Sequence, residues 1–158
     1  MQSSEIITIL AGTYTLLNTS ATRDGVPVDD PTYGSNPVGI LTYSKTGFMS
    51  ATLTSTNPEH RPADLTFPFQ EGQPDAEWAL VGKHSIGYAG PLSISSDVPA
   101  SATDGQVFHG PLTVANVPSM VGAIHRRNYT TFENGRLLRI TSQRDGSNRG
   151  ELWWERLD

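Results

Sequence analysis

VGAIHRRNYTTFENGRLLRITSQR, residues 121–144, is the stretch that decides the fold. Its Asn134-Gly135 pair stands between two runs of strand-forming residues, which predicts a two-residue type I′ hairpin turn. That turn fixes the strand pairing, because Tyr129 then faces Ile140 across the hairpin. Successive side chains of a strand alternate between its two faces, so the pairing also assigns every side chain to one side.

One face of this hairpin is mostly polar and the other mixes apolar with polar side chains. The polar face belongs in water and carries Arg126, Asn128, Thr130, Arg139, Thr141 and Gln143, with Phe132 and Leu137 near the turn. The mixed face carries His125, Arg127, Tyr129, Thr131, Leu138, Ile140 and Ser142. An apolar wall with a few polar groups is typical of a small-molecule pocket. The sequence therefore predicts that the mixed face lines a cavity.

Length, charge and composition narrow the class of protein. At 158 residues the chain is predicted to be one domain, residues 1–158, with a core of its own. It contains no cysteine, so neither disulfides nor thiolate metal sites are expected. A net charge of −5 argues against a nucleic-acid partner. Neither a membrane-length apolar run nor a signal peptide is visible, so we expect a cytoplasmic protein without a membrane partner.

Short strands joined by hairpins make up most of the chain. Residues 3–10 are predicted to form a short helix, and Asp75 to about Ser85 a second, longer one. Eight strands are predicted at 12–23, 38–43, 48–56, 87–95, 106–115, 121–132, 136–143 and 150–157. Such a pattern predicts an all-β sandwich or up-and-down barrel. Eight is also the strand number at which a closed antiparallel barrel just holds one small ligand.

The inward faces of the first strands are less clear. Simple alternation places Tyr14, Leu16, Asn18 and Ser20 on one face, which makes Asn18 a candidate ligand-binding residue. In the next hairpin a four-residue turn at residues 44–47 allows two groupings. Without a bulge, the turn places on one face Val38, Ile40, Met49, Ala51 and Leu53, whereas a bulge regroups them.

Residues 57–75 form a long segment that holds four prolines together with Leu65, Phe67 and Phe69. Loops of this length inside a compact domain are usually lids or disordered, and the aromatic residues favour packing. We therefore expect residues 57–86 to form a lid, with Phe67 and Phe69 covering the barrel mouth and contacting the ligand.

Eight short patterns follow one another along the chain. They are Gly12-Thr13-Tyr14, residues 37–43, residues 47–50, Tyr88-Ala89-Gly90, Val107-Phe108-His109, residues 118–122, His125-Arg126-Arg127 and residues 152–156. In this order and spacing they resemble the lipocalin-like domain family of small bacterial and fungal proteins. The resemblance covers nearly the whole chain and implies an eight-stranded (8–10) lipocalin-like β-barrel with a short N-terminal helix and one helix or lid insertion. Fungal members often accompany natural-product enzymes, which implies a role in secondary-metabolite biosynthesis.

The chain departs from the family pattern at three positions. Tyr14 stands where lipocalins carry tryptophan, Met120 where an aromatic residue is frequent, and His125 where glutamine is usual. The last change places a titratable group in the expected pocket. Tyr14 and Arg156 resemble the base-closing pair of lipocalins, in which an arginine stacks on an aromatic ring of the first strand.

Four residues are candidates for chemistry. An inward Arg127 is costly to desolvate, so it either orients a ligand carbonyl, enolate or carboxylate or bonds backbone carbonyls structurally. His125, on the same face, suits a general acid or base, and the alternative is a histidine at the rim. His109 faces His125 if the following connection is short, yet the apolar pattern around Phe108 points His109 outward.

Tyr88 shares a face with Leu92 and Ile94, so a core tyrosine is the alternative to a catalytic one. We expect ligand contacts from the remaining candidates, which are Asn18, Met49, Phe67, Phe69, Met120, Tyr129, Ile140 and Trp154. No histidine accompanies Glu71, Asp75 and Glu77 at a ligand spacing, so no metal is predicted.

These features favour a cofactor-free cyclase or isomerase acting on a hydrophobic polyketide or terpenoid intermediate. Arg127 would stabilise negative charge, and His125, with His109 or Tyr88, would transfer protons. The alternative is a carrier of the same small hydrophobic molecule, since both functions need the same pocket. The sequence leaves the choice between monomer and homodimer open.

Overall fold

The computed structural model describes residues 1–143 and 146–158, so Arg144, the end of the hairpin stretch, lies outside the described residues. The described chain forms two α-helices, ten strands and three short 3₁₀ turns. The helices are α1 (Ser3–Leu10) and α2 (Asp75–Lys83). The strands are β1 (Gly12–Arg23), β2 (Val26–Val28), β3 (Val38–Tyr43), β4 (Phe48–Thr54), β5 (Ser85–Ile94), β6 (Asp104–His109), β7 (Val114–Ala115), β8 (His125–Phe132), β9 (Leu137–Gln143) and β10 (Asn148–Arg156).

Eight of these strands close into an antiparallel barrel. Their order is β10-β9-β8-β6-β5-β4-β3-β1, and β1 pairs back onto β10 to complete the ring. The short strands β2 and β7 add to β1 and β5 outside this ring. The predicted eight-stranded antiparallel barrel with a short N-terminal helix is confirmed.

The hairpin of β8 and β9 has the predicted register, but its connection is longer than the predicted two residues. Asn134 has φ 56° and ψ 36°, Gly135 has φ +87°, and the N–H of Arg136 donates to the carbonyl of Glu133 at 3.2 Å. Asn134 and Gly135 thus have the left-handed conformation of a type I′ turn, but Glu133 is left-handed as well, with φ 51°, and the strands pair only up to Phe132 and Leu137. Tyr129 pairs with Ile140, and the burial of the side chains alternates as the register requires. The buried members are Tyr129, Leu138 and Ile140, while Arg126 and Asn128 are exposed.

The inner face of β3 and β4 follows the bulged alternative. Tyr43 pairs with Met49 and Leu41 with Ala51, because the turn is closed by a hydrogen bond from the N–H of Ser44 to the carbonyl of Phe48 at 2.9 Å. Gly47 makes this tighter turn possible with its φ of +81°. The buried inner residues of the hairpin are Leu41, Tyr43, Met49, Ala51 and Leu53, whereas Val38 and Ile40 are exposed.

A bulge in β1 overturns the prediction for Asn18. Leu16 pairs with Trp154 but Asn18 pairs with Trp153, so Leu17 is an extra residue in β1. An extra residue reverses the alternation that follows it. Asn18 is therefore exposed on the outer face, and the prediction that it shares the inner face with Leu16 is wrong.

The predicted strand 106–115 is divided in two. β6 ends at His109, and the chain turns at Gly110, which has φ +128°. A Cβ atom at Gly110 would lie 2.3 Å from the carbonyl oxygen of Ala123, so a side chain does not fit there. β7 then pairs with β5 and not with β8.

Helix α1 closes one end of the barrel. Ile6 and Leu10 are buried, and the Tyr14 hydroxyl donates to the carbonyl of Leu10 at 2.8 Å. Arg156 stacks on the Tyr14 ring, 4.8 Å from Cζ to the ring centroid, and donates to the carbonyl of Ala11 at 2.6 Å. The last carbonyls of a helix lack partners within the helix, so Arg156 both caps α1 and fixes it to the barrel. The expected Tyr14–Arg156 pair is present.

The predicted aromatic lid is wrong. Phe67 is 97% exposed and Phe69 is 77% exposed, beside Trp78 on an open groove outside the barrel. Local hydrogen bonds fold this segment onto itself, among them one from Gln73 Nε2 to the carbonyl of Asp64 at 3.0 Å. The residue that packs over the barrel interior is Tyr33, on the segment between β2 and β3.

Neither helix of the described ranges is long and apolar enough to cross a membrane.

Candidate functional site

The barrel contains a partly open cavity of about 180 Å³, bounded by its core and by Tyr33 of the 29–37 segment. Apolar side chains from four strands form about half of the wall, among them Leu41, Leu53, Ile140 and Trp154. The polar groups in the wall include Tyr88, His109 and Arg127. A wall that combines apolar side chains with convergent polar groups is the composition expected of a ligand pocket.

His109 lies in this wall, opposite His125 on the neighbouring strand. It is 2% exposed, and its Nε2 lies 2.8 Å from the hydroxyl oxygen of Tyr43. Burial, followed by the charges of Arg127 and His125, lowers the pKa of His109 to about 3. Burial also raises the pKa of Tyr43 well above its usual value. Both side chains are therefore neutral near pH 7, and a neutral hydrogen bond joins them.

The second ring nitrogen of His109 has no hydrogen-bond partner among the described residues. Nδ1 is buried, and the two tautomers give it opposite roles. If Tyr43 donates to Nε2, Nδ1 carries the proton and is a donor; if Nε2 donates to Tyr43, Nδ1 is an acceptor. In either tautomer one polar group of His109 is left unsatisfied inside the barrel.

Arg127 brings a positive charge to the same wall. Its Nη1 donates to the backbone carbonyl of Arg126 at 2.8 Å, which is the contact expected of a structural arginine. Its charge also lowers the pKa of His109 and of His125. Arg127 therefore makes a structural hydrogen bond to the backbone, and its charge also lowers the pKa of the two neighbouring histidines.

Tyr88 lines the cavity, whereas His125 packs behind it. The two rings meet edge to face, with centroids 5.8 Å apart. Burial raises the pKa of Tyr88, and the charge of Arg127 opposes that rise. His125 is half-buried, and burial, then Arg127, lowers its pKa. The structure therefore brings three of the four predicted catalytic residues to the cavity and places His125 behind Tyr88, outside the lining.

The predicted ligand-binding residues divide in the same way. Ile140 and Trp154 line the cavity. Met49 and Tyr129 belong to the core, and the Tyr129 hydroxyl donates to the carbonyl of Ser101 at 2.6 Å. Met120, in a 3₁₀ turn, packs against the core from outside the lining. Asn18, Phe67 and Phe69 lie on the outer surface. Whether any of these residues contacts a ligand stays a prediction.

Several residues of the site were not among the predicted ones, and Tyr43 and Tyr33 show why. Tyr43 faces inward only because of the tighter turn after it, so its orientation depended on the bulge that the sequence left open. Tyr33 lies in a turn-rich connection with no periodicity, so no pattern indicated where its side chain points.

Within residues 1–143 and 146–158, no three histidine, aspartate or glutamate side chains are grouped so as to hold a metal ion.

A closed eight-stranded barrel with a small internal cavity and a helix across its base is the architecture of small-ligand-binding barrels. The family model of the lipocalin-like domain matches residues 11–157. The chain therefore belongs to the lipocalin-like domain family. A lipocalin-like barrel is suited to binding a small hydrophobic ligand.

Other comparisons add little to this assignment. No curated protein matches the chain significantly. Among solved structures, a redesigned beta barrel matches over 97% of this chain and 96% of its own, with 9% sequence identity and a TM-score of 0.42.

Proposed function

We propose that this protein is a cofactor-free isomerase or cyclase that acts on a small hydrophobic molecule held inside the barrel. The observation that carries the proposal is the buried, unpartnered Nδ1 of His109 in the cavity wall, beside Tyr88 and Arg127. Leaving a buried polar atom without a partner costs about 1–3 kcal/mol. A ligand with a carbonyl or hydroxyl group would supply the missing partner.

The polar wall suits a proton transfer next to a carbonyl group. Arg127 and the protonated hydroxyl of Tyr88 are donors that can stabilise an enolate oxygen as it forms. His109 takes and returns the proton at Nδ1 when its Nε2 donates to Tyr43. Its low pKa makes it a weak base in the empty cavity, but negative charge developing on the ligand oxygen raises that pKa during the reaction. The apolar walls hold the ligand close to its reactive shape.

The size of the cavity limits the substrate. A cavity of roughly 150 Å³ holds a benzene molecule. The space of about 180 Å³ in this barrel is only slightly larger. We propose a hydrophobic polyketide or terpenoid intermediate, the class that the family resemblance implies, and intermediates larger than a single ring system need the 29–37 segment to move.

Replacement of Arg127 by methionine tests the proposal, and the same strand supplies the control. Arg127→Met removes the charge from the wall and keeps much of the side-chain volume. We expect it to lower the rate of product formation ~10²–10³-fold, the usual effect of losing one preorganised donor. Arg126→Met removes the adjacent arginine, which is exposed on the outer face, and should leave the rate unchanged. The measurement is chromatography of product isomers after incubating purified protein with pathway intermediates.

The outcomes separate a catalyst from a carrier. Equal rates for the two variants would remove Arg127 from the mechanism. A carrier would convert no intermediate, and Arg127→Met would change only its affinity, by about 1–3 kcal/mol. Because Tyr88 lines the cavity and His125 lies behind it, Tyr88→Phe should slow turnover more than His125→Gln.

A further inference from the structure

We propose that residues 29–37 are the gate of the barrel and that Tyr33 is the side chain that limits which ligands enter. We further propose that His84 and Asn57 form a latch that holds the gate shut. This inference rests on the proposed function only in assuming that the ligand enters the barrel.

Tyr33 is the part of the segment that reaches the cavity. It is half-buried, packs against the core cluster and forms part of the cavity wall. The segment joins β2 to β3 near the end where β1 stops and β10 starts, which is opposite the base closed by α1. No residue of 29–37 belongs to a strand, so the gate can move without breaking a barrel pairing.

The first latch contact is a pair of stacked histidines. The carbonyl oxygen of Thr32 lies 2.9 Å from Nδ1 of His84, and since a carbonyl only accepts, this nitrogen must carry the proton. The His84 ring stacks on His60, with centroids 3.5 Å apart and planes 6° from parallel. Nδ1 of His60 lies 2.8 Å from Oγ of Ser55, which is fully buried. The backbone beside Tyr33 is thus connected through two imidazole rings to a buried anchor at the end of β4.

The second latch contact surrounds Asn57. Its Oδ1 accepts hydrogen bonds from the N–H and the hydroxyl of Ser35, each at 3.2 Å. Gly34 has φ +68°, and a Cβ atom there would lie 2.6 Å from the same Oδ1. Any side chain at position 34 therefore collides with the latch. The contact depends on glycine both for its backbone conformation and for its lack of a side chain.

All of these contacts to residues 32–35 come from side chains outside the segment, on 55–60 and at the end of α2. Hydrogen bonds of this kind exchange with water at small net cost, so the gate can open while the barrel remains folded. The size of Tyr33 then determines how large a ligand fits behind the closed gate.

Trp154 can report on the gate without a ligand. It is 2% exposed and lines the cavity. The chain contains three tryptophans, so a Trp78→Phe, Trp153→Phe background leaves Trp154 as the single fluorophore. Acrylamide quenching of its emission then measures how often the cavity is open to solvent. Because this measurement requires no substrate, failure of the proposed catalysis would not affect it.

In this background Gly34→Ala should raise the quenching constant severalfold, because it disrupts the latch. Gly72→Ala is the matched control: Gly72 also has a positive φ, +91°, but nothing lies within 4 Å of its Cβ position. The two variants therefore share the backbone strain and differ in the latch. Equal quenching in both would overturn the gate.

A covalent lock gives the opposite test. The chain has no cysteine, so Ser35→Cys with Asn57→Cys introduces one pair across the latch. Its oxidised form should reduce quenching and slow the binding of 2-naphthol at least tenfold, and reduction should restore both. Binding of 2-naphthol at the same rate in the two redox forms would show that ligands enter elsewhere. Tyr33→Ala should extend binding to larger naphthols, and an unchanged size limit would remove Tyr33 as its determinant.

Discussion

Single residues set the chemistry of this barrel through burial. His109 and Tyr43 are both ionisable, yet burial keeps each neutral and joins them in one hydrogen bond. Arg127 carries a full charge into the same wall. Neutral donors and acceptors beside one cation can stabilise charge that appears only during a reaction, which is the basis of electrostatic catalysis.

The depressed pKa of His109 predicts how stability depends on pH. The folded pKa is about 3, whereas the unfolded value is near 6.5. Between these values the unfolded chain binds one more proton than the folded chain, so stability falls as pH is lowered. The contribution of His109 to stability is present in full above pH 6.5. Below that pH it is lost at about 1.4 kcal/mol per pH unit.

Urea unfolding at several pH values between 7 and 4 checks this expectation. His109→Phe keeps a ring of similar shape and removes the titrating group. The unfolding free energy of this variant should change with pH less steeply than that of the unmodified protein. The difference in slope should correspond to the uptake of about one proton on unfolding. Parallel pH dependences would mean that His109 is readily protonated in the folded protein and that the neutral pair with Tyr43 is wrong.

Sequence reasoning located Arg127 but missed Tyr43, for a physical reason. The face of Arg127 follows from Asn134-Gly135, a local signal with a defined strand register. The face of Tyr43 depends on how the turn after it is closed, and the residues of that turn allow two closures.

At the scale of elements, one extra residue decides which side chains face the ligand. The bulge at Leu17 turns Asn18 outward. Each side chain that follows in β1 lies on the face opposite to the one that simple alternation predicts. Its sequence signature is weak, because threonines and small residues follow on both faces of β1. Strand faces were therefore predictable where Asn134-Gly135 fixed the register and unpredictable beyond a bulge.

The segment 57–75 gives a second prediction at this scale. Because Phe67 and Phe69 are 97% and 77% exposed, replacing both by serine should change the unfolding free energy by no more than about 0.5 kcal/mol each. Binding of 2-naphthol inside the barrel should not change either. Urea unfolding and fluorescence titration measure the two quantities. A weaker affinity in the double variant would show that these rings reach the ligand and that Tyr33 is not the whole cover.

For the whole molecule, the eight antiparallel strands of the barrel could be predicted, but the short strands β2 and β7 and the cover of the cavity could not. Hairpin signals are local, so the sequence indicated the eight-stranded barrel. The contacts of residues 32–35 with Asn57 and His84 join positions far apart in the chain. No periodicity encodes such contacts. Long-range packing thus places Tyr33 over the barrel interior and leaves residues 57–75 outside the barrel.

Solvent deuterium in the product tests the central claim most directly. Purified protein, without added cofactor, is incubated with a candidate intermediate in deuterium oxide, and mass spectrometry follows the label. The account predicts incorporation at the carbon next to the carbonyl group well above the buffer rate, lowered ~10²–10³-fold by Arg127→Met and unchanged by Arg126→Met. An intermediate that binds in the barrel and is recovered unlabelled and unconverted would contradict catalysis and leave a carrier.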